Sequence, residues 1–167
     1  LLVCLLLVGV VGGGASPTPE SPLAQNESPK PPPVETDAEK AISEYNKGLD
    51  FLDRKDWATA IACFTAAIRI DPNYANAYYN RGYAYDELGQ YDKAIADYSE
   101  AIRINPDYAD AYNNRGFVYG NKGQLDKAIA DFTAAIRINP DYALAYYNRG
   151  NAYMHLEEYD KAIADYT

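Results

Sequence analysis

The chain has 167 residues and a formal net charge of −9, from 24 acidic against 15 basic residues. No run of Lys or Arg occurs, so the clustered cations that a nucleic acid or an anionic membrane surface demands are missing, and both partners are disfavoured. The two cysteines, Cys4 and Cys63, lie in unlike segments and make no disulfide framework; Cys63 reads as a small buried hydrophobe on its helix.

Residues 1–11 are apolar apart from Gly9, and Gly12, Gly13, Gly14, Ala15 and Ser16 follow. This is the form of a secretory-signal core ending in small residues, with a cut after Ala15. The competing reading is a truncated membrane anchor, because spanning takes about 20 apolar residues. Cys4 sits within the apolar run and not at its end, which argues against lipid attachment. No Lys or Arg follows until Lys30, so on either reading what comes after is expected outside the cytoplasm, secreted, periplasmic or membrane-anchored.

Residues 16–36 carry Pro17, Pro19, Pro22, Pro29, Pro31, Pro32 and Pro33 among Ser, Thr and Glu. Such a stretch packs no core and reads as an extended or disordered spacer. It ends at Thr36-Asp37-Ala38-Glu39, a capping box that should open the first helix.

From there the chain repeats itself. Ala-Tyr-Tyr-Asn-Arg-Gly at 77–82 returns at 111–116 as Ala-Tyr-Asn-Asn-Arg-Gly and at 145–150, with Gly82, Gly116 and Gly150 at a constant interval of 34 residues. Gly48 stands one period earlier in a weaker copy. In the second copy Tyr78, Arg81, Gly82 and Tyr85 share one face of a helix. Gly89 marks its end, and Asp92 is expected to cap the next helix, which carries Ala94, Ile95, Tyr98, Ala101 and Ile102. Asn105-Pro106 stops that helix. Each copy is thus a hairpin of two helices of about a dozen residues, with small residues where the helices approach and large ones between.

These residues resemble the tetratricopeptide repeat (TPR) family, whose signature is Trp-x2-Leu-Gly-x2-Tyr, Ala-x3-Phe and Pro. The copies read Tyr78, Arg81, Gly82, Tyr85, Ala94, Tyr98, Pro106; then Tyr112, Arg115, Gly116, Tyr119, Ala128, Phe132, Pro140. The first reads Glu44, Lys47, Gly48, Phe51, Ala60, Phe64, Pro72, and the fourth Tyr146, Arg149, Gly150, Tyr153, Ala162, Tyr166. Departures are Glu44 for the first aromatic, Arg or Lys for Leu, and Glu157 for a glycine. The resemblance implies an all-α, right-handed superhelical solenoid of antiparallel helix hairpins over 37–167, with repeats 41–74, 75–108, 109–142 and an incomplete 143–167. Solenoids need polar caps at their ends. None is evident, so the expectation is that the protein continues past Thr167 or that its ends associate end to end.

Arg81, Arg115 and Arg149 fall on a face that should be largely buried, and their copies also carry Asp97, Asp131 and Asp165 in the second helix, whereas the first copy has Lys47 and Cys63. A repeated Arg–Asp ion pair between helices is expected, since a buried Arg is tolerated when paired.

By the resemblance, the first helices line a concave groove. The face opposite the core stripe holds Asn76, Tyr79, Asn80 and Tyr83, then Asp110, Asn113, Asn114 and Phe117, then Leu144, Tyr147, Asn148 and Asn151. Asn46, Asn80, Asn114 and Asn148 recur two residues before each glycine. A row of amides offers donors and acceptors to the backbone of an extended peptide, and the rings offer flat surfaces. The row is similar to the asparagine ladder in the TPR arm of protein O-GlcNAc transferases; plain repeat inheritance is the competing reading. The carboxylate clamp of TPR proteins that grip chaperone tails is not reproduced, because Tyr45, Asp110 and Asn114 stand where its cations belong.

Catalytic and metal-binding residues and a cofactor are not expected: His155 is the only histidine, and no phosphate loop, Cys/His spacing or nucleophile elbow occurs. The expected function is a non-catalytic protein–protein interaction scaffold binding an extended peptide or a partner helix in the groove. The alternative is the substrate-recognition arm of a larger enzyme, such as a glycosyltransferase, with its catalytic part beyond residue 167.

Overall fold

The computed structural model describes residues 35–167; the signal or anchor reading of 1–15 and most of the proline-rich segment lie outside the described residues. Eight helices follow in order: α1 Asp37–Asp53, α2 Trp57–Ile70, α3 Ala75–Glu87, α4 Tyr91–Ile104, α5 Ala109–Asn121, α6 Leu125–Ile138, α7 Ala143–His155 and α8 Tyr159–Tyr166. They pair as four antiparallel hairpins stacked into a right-handed superhelical solenoid.

Local chemistry sets the ends of each helix. Thr36 Oγ1 accepts from the Glu39 N–H at 3.2 Å, and the Thr36 N–H donates to Glu39 Oε2 at 2.7 Å, closing the capping box before α1. Within each hairpin the first helix ends in a Schellman turn. In the second, the Gln90 N–H returns to Tyr85 O at 2.8 Å and the Gly89 N–H to Asp86 O at 2.7 Å, with Gly89 at φ +68°. Gly123 does the same at φ +69°, while Lys55 and Glu157 hold that left-handed position at φ +59° without the freedom of glycine. The second helices stop at Asp71, Asn105 and Asn139, which are extended because a proline follows each.

Asp92 is not the cap of α4. The Schellman turn consumes Gly89 and Gln90, so Gln90 takes the N-cap and Asp92 falls in the first turn, where its charge suits the helix dipole and its carboxylate meets Lys122 Nζ. The one acidic side-chain cap of a second helix is Asp56, whose Oδ1 accepts from the Thr59 N–H at 3.2 Å.

The core is layered between hairpins. Ala60, Phe64 and Ala67 of α2, Ala94, Tyr98 and Ala101 of α4, and Ala128, Phe132 and Ala135 of α6 are buried, facing Ala77, Ala84, Ala111, Val118, Ala145 and Ala152 of the odd helices. Gly116 lets α5 close on α6: a Cβ there would lie 2.8 Å from the Phe132 ring. Each odd helix comes within 8 Å, Cα to Cα, of the next odd helix, and no even helix does so with the next even one among the described residues. The odd helices therefore form the inner layer and the even helices the outer. Cys63 of α2 is only half-buried, near Lys47, and not a core residue.

Candidate functional site

The inner layer presents equivalent residues of the odd helices at every 34-residue step. The amides, however, already have work within the fold. Asn80 Nδ2 donates to Tyr45 Oη at 2.9 Å, Asn114 Nδ2 to Tyr79 Oη at 3.0 Å, and Asn148 Nδ2 to Asn113 Oδ1 at 3.0 Å. Each bond ties one inner helix to the one before it. Asn46 stands exposed at the start of the row.

Asn113 does not face the groove. It is 2 % exposed, accepting from Asn148 and donating to Asn114 Oδ1 at 3.2 Å, because its position lies on the seam between inner helices. Tyr79 occupies the same seam one repeat earlier. Its ring packs on Tyr98 and Tyr108, with centroids 5.8 and 4.9 Å away, and burial pushes its phenol up to about 12. Tyr83 is half-buried, edge-on to Trp57 at 6.1 Å. Phe117 and Tyr147 are 47 % and 57 % exposed, the Tyr147 ring lying against that of Tyr166 at 6.0 Å. Asn151 accepts from Tyr166 Oη at 2.7 Å.

Between α5, α6 and α7 lies a pocket of about 210 Å³. Leu125, Phe132 and Ala152 line its depth, with Phe117, Asn148 and Asn151 beside them. His155, the last residue of α7, also lines it and is exposed. The sequence pattern gave no hint of this pocket, since it needs residues from three helices and two repeats.

The inner face is acidic. Asp110 accepts from Tyr142 Oη at 2.5 Å. Asp86 is half-buried beside Glu87, and burial followed by that neighbouring charge lifts its carboxyl to about 6.

The arginines form a separate, structural network. Arg81 donates from Nε and Nη2 to Asp97 at 2.7 and 2.7 Å, Arg115 to Asp131 at 2.8 and 2.8 Å, and Arg149 to Asp165 at 2.8 and 2.6 Å. The third nitrogen, Nη1, reaches back to the preceding hairpin: to Thr65 Oγ1 at 3.0 Å, Ser99 Oγ at 2.9 Å and Thr133 Oγ1 at 3.0 Å. Each guanidinium also lies over the ring of Tyr78, Tyr112 or Tyr146, at 5.5, 5.5 and 5.6 Å. Sequence reasoning missed the hydroxyls, although their own 34-residue spacing is a visible signal. In the first hairpin Lys47 instead pairs with Glu44 at 2.6 Å.

Among the described residues no cluster of three or more His, Cys, Asp or Glu side chains could hold a metal ion, and no helix is long and apolar enough to cross a membrane.

A family profile of the TPR repeat matches residues 48–89, 85–123 and 118–157. No curated protein matches the chain. Among solved structures, a crystal structure of MamA is similar at 31 % identity and a TM-score of 0.73, over 75 % of this chain and 74 % of that one. The first TPR domain of Spaghetti (RPAP3), bound to the HSP90 peptide SRMEEVD, is similar at 25 % identity and a TM-score of 0.71, over 75 % of this chain and 99 % of that one. The second TPR domain of human RPAP3, in complex with the HSP70 peptide SGPTIEEVD, is similar at 28 % identity and a TM-score of 0.68, over 70 % of this chain and 98 % of that one.

Proposed function

The chain belongs to the tetratricopeptide repeat family, and on that premise we propose that it is a non-catalytic protein–protein interaction module that holds an extended peptide along its inner face. The observation that carries this reading is the exposed Phe117 ring at the rim of a side-chain-sized pocket, in a layer that is otherwise tied together by its own amides. Exposed aromatic rings on a rigid scaffold offer contact area at low entropic cost. That two similar solenoids were solved with peptides supports the reading.

The amide row contributes chiefly by fixing the spacing of the inner helices. Asn46, Asn80, Asn114 and Asn148 keep further hydrogen-bonding capacity for a peptide backbone, because an amide has more donors and acceptors than these bonds use among the described residues: none at Asn46, one each at Asn80 and Asn148, and two at Asn114. The apolar stretch at 1–15 supports a place outside the cytoplasm. A reporter enzyme active only after export, fused behind residue 36, tests that placement, and a silent reporter would overturn it.

The groove reading is tested by selecting displayed random peptides on the full chain and mapping the bound ones by amide hydrogen exchange. Protection on α3, α5 and α7, with at least tenfold weaker binding after Phe117→Ser and Tyr147→Ser, is the expected result. Protection confined to the even helices, or binding indifferent to both substitutions, would place recognition on the outer face.

A further inference from the structure

The inner face changes character between neighbouring repeats. Gly120 and Phe132 at the pocket correspond, 34 residues earlier, to Asp86 and Tyr98. Where α5, α6 and α7 leave a hole backed by apolar side chains, α3, α4 and α5 carry a carboxylate and a phenol.

Among the described residues the phenol makes no hydrogen bond, and the carboxylate has no ion pair. Tyr98 is wholly buried, yet its hydroxyl has no hydrogen-bond partner. Its ring packs against Gly82 and Tyr79 of α3, so the phenol points from the outer layer toward the inner face, with the Asn114 amide and the Asp86 carboxylate as polar neighbours. Asp86 and Glu87 have no ion-pair partner among the described residues. The positions equivalent to Asn76, Tyr79, Asn80, Tyr83, Asp86 and Glu87 across the four odd helices carry Asp53, Asp86, Glu87 and Asp110 but not one Lys or Arg. A half-buried carboxylate beside a second one is an uncompensated charge that a cation would neutralise. The Tyr83 ring beside it can face that cation, and the orphaned Tyr98 oxygen can accept a hydrogen bond from it.

We infer that the inner face reads two points of an extended peptide: an apolar side chain in the pocket between α5 and α7, and a Lys or Arg held by Asp86 and Glu87 one repeat away. Helices pack about 8–10 Å apart and an extended chain advances about 3.3–3.6 Å per residue, so the two side chains stand about three residues apart. The inference rests on the groove reading above and adds the chemistry of the ligand. It also sets this chain apart from the peptides seen with the RPAP3 domains, whose acidic ends would meet carboxylates here and no cation.

The test uses the full chain and end-blocked peptides of Gly, Ser and Asn, each with one Leu and one Lys at separations of one to six residues, read by fluorescence anisotropy. Binding is expected to peak near a separation of three. Replacing Lys by Ala should weaken it about tenfold, and Lys by Glu further. The double variant Asp86→Asn, Glu87→Gln should bind the Lys, Ala and Glu peptides alike. Gly120→Leu should fill the pocket and remove only the contribution of the peptide Leu. The control Asp126→Asn, Asp160→Asn removes the same charge elsewhere and should leave the preference intact. Circular dichroism checks folding, and the single variants Asp86→Asn and Glu87→Gln replace the double if it fails to fold. Equal affinity for the Lys, Ala and Glu peptides on the unaltered chain, a Lys preference that survives the double variant, or no binding by any peptide would overturn the inference. The groove reading fails separately, if the displayed peptides ignore Phe117→Ser and Tyr147→Ser.

Discussion

Arg115 grips Asp131 with two parallel bonds, Nε and Nη2 each donating to one carboxylate oxygen at 2.8 Å. Asp131 is 6 % exposed, so the pair is largely cut off from water. Breaking it from one side should therefore cost more than removing it whole. Arg115→Ala is expected to destabilise the fold by about 3–5 kcal/mol, because it leaves a buried charge without a partner. Arg115→Leu combined with Asp131→Ala, which restores the Leu of the family signature, should come within about 1 kcal/mol of the unaltered chain. Urea unfolding measures both, and a small loss in Arg115→Ala would mean that water reaches the pair.

The lacing of the inner helices can be weighed bond by bond. Tyr45→Phe and Asn80→Ala each remove the same hydrogen bond and should each cost about 1 kcal/mol, with the double variant costing little more than either. Asn114→Ala should cost about 2 kcal/mol, since it also leaves the buried Asn113 Nδ2 without its acceptor. A double-mutant cycle at 45 and 80 with no coupling would show that the bond does not hold in solution.

Two glycines of α5 should respond in opposite directions. A Cβ on Gly116 would lie 2.8 Å from the Phe132 ring and 3.1 Å from Asp131 Cβ, so Gly116→Ala should cost about 1–3 kcal/mol. A Cβ on Gly120 meets nothing within 4 Å. Gly120→Ala should therefore stabilise the helix by about 0.5–1 kcal/mol. Thermal melts of the two variants give the comparison directly, and losses of equal size would contradict it.

Asp86 ties stability to pH. Its carboxyl is raised from the ordinary 3.8 to about 6 in the fold, so the folded chain holds that proton more tightly than the unfolded one. The ionised group thus costs stability above about pH 6, the cost shrinks as pH falls toward 3.8, and it is gone below that value. The groups facing Asp86 are Glu87 and the Tyr83 phenol on its own helix and the Tyr98 phenol from α4. Asp86→Asn should gain about 1 kcal/mol near pH 7.5, after allowing for the screening of a half-exposed group, and almost nothing near pH 4. Paired denaturation curves at the two pH values test this, and a gain that does not change with pH would rule it out.

The repeat interval and the helical stripe were enough to foresee the hairpins, and the joint appearance of Arg115 with Asp131 in the same copies foreshadowed the ion pair. What was not legible depended on contacts between copies. Asn113 shares a repeat position with Tyr79 and Tyr147, and a helical wheel puts all three on the groove side; only the lean of one inner helix against the next buries it. Asp92 looks like a cap until the Schellman turn at Gly89 shifts the N-cap to Gln90. The pocket needs the coincidence of Gly120 and Phe132 on different helices, which no periodicity announces.

The asymmetry between the two layers sets how the array can bend. On the outside, neighbouring even helices do not approach one another; each is joined to the next hairpin only through the following odd helix, by packing and by the bond from Arg81, Arg115 or Arg149 to its hydroxyl. On the inside, amides and packed rings join each helix to the next. The coil is therefore a spring with unequal stiffness: its outer edge can open where the even helices do not meet, while its inner edge, where successive odd helices touch, acts as the hinge line. Tightening the curvature around a strand is the soft motion, and flattening the coil is the hard one.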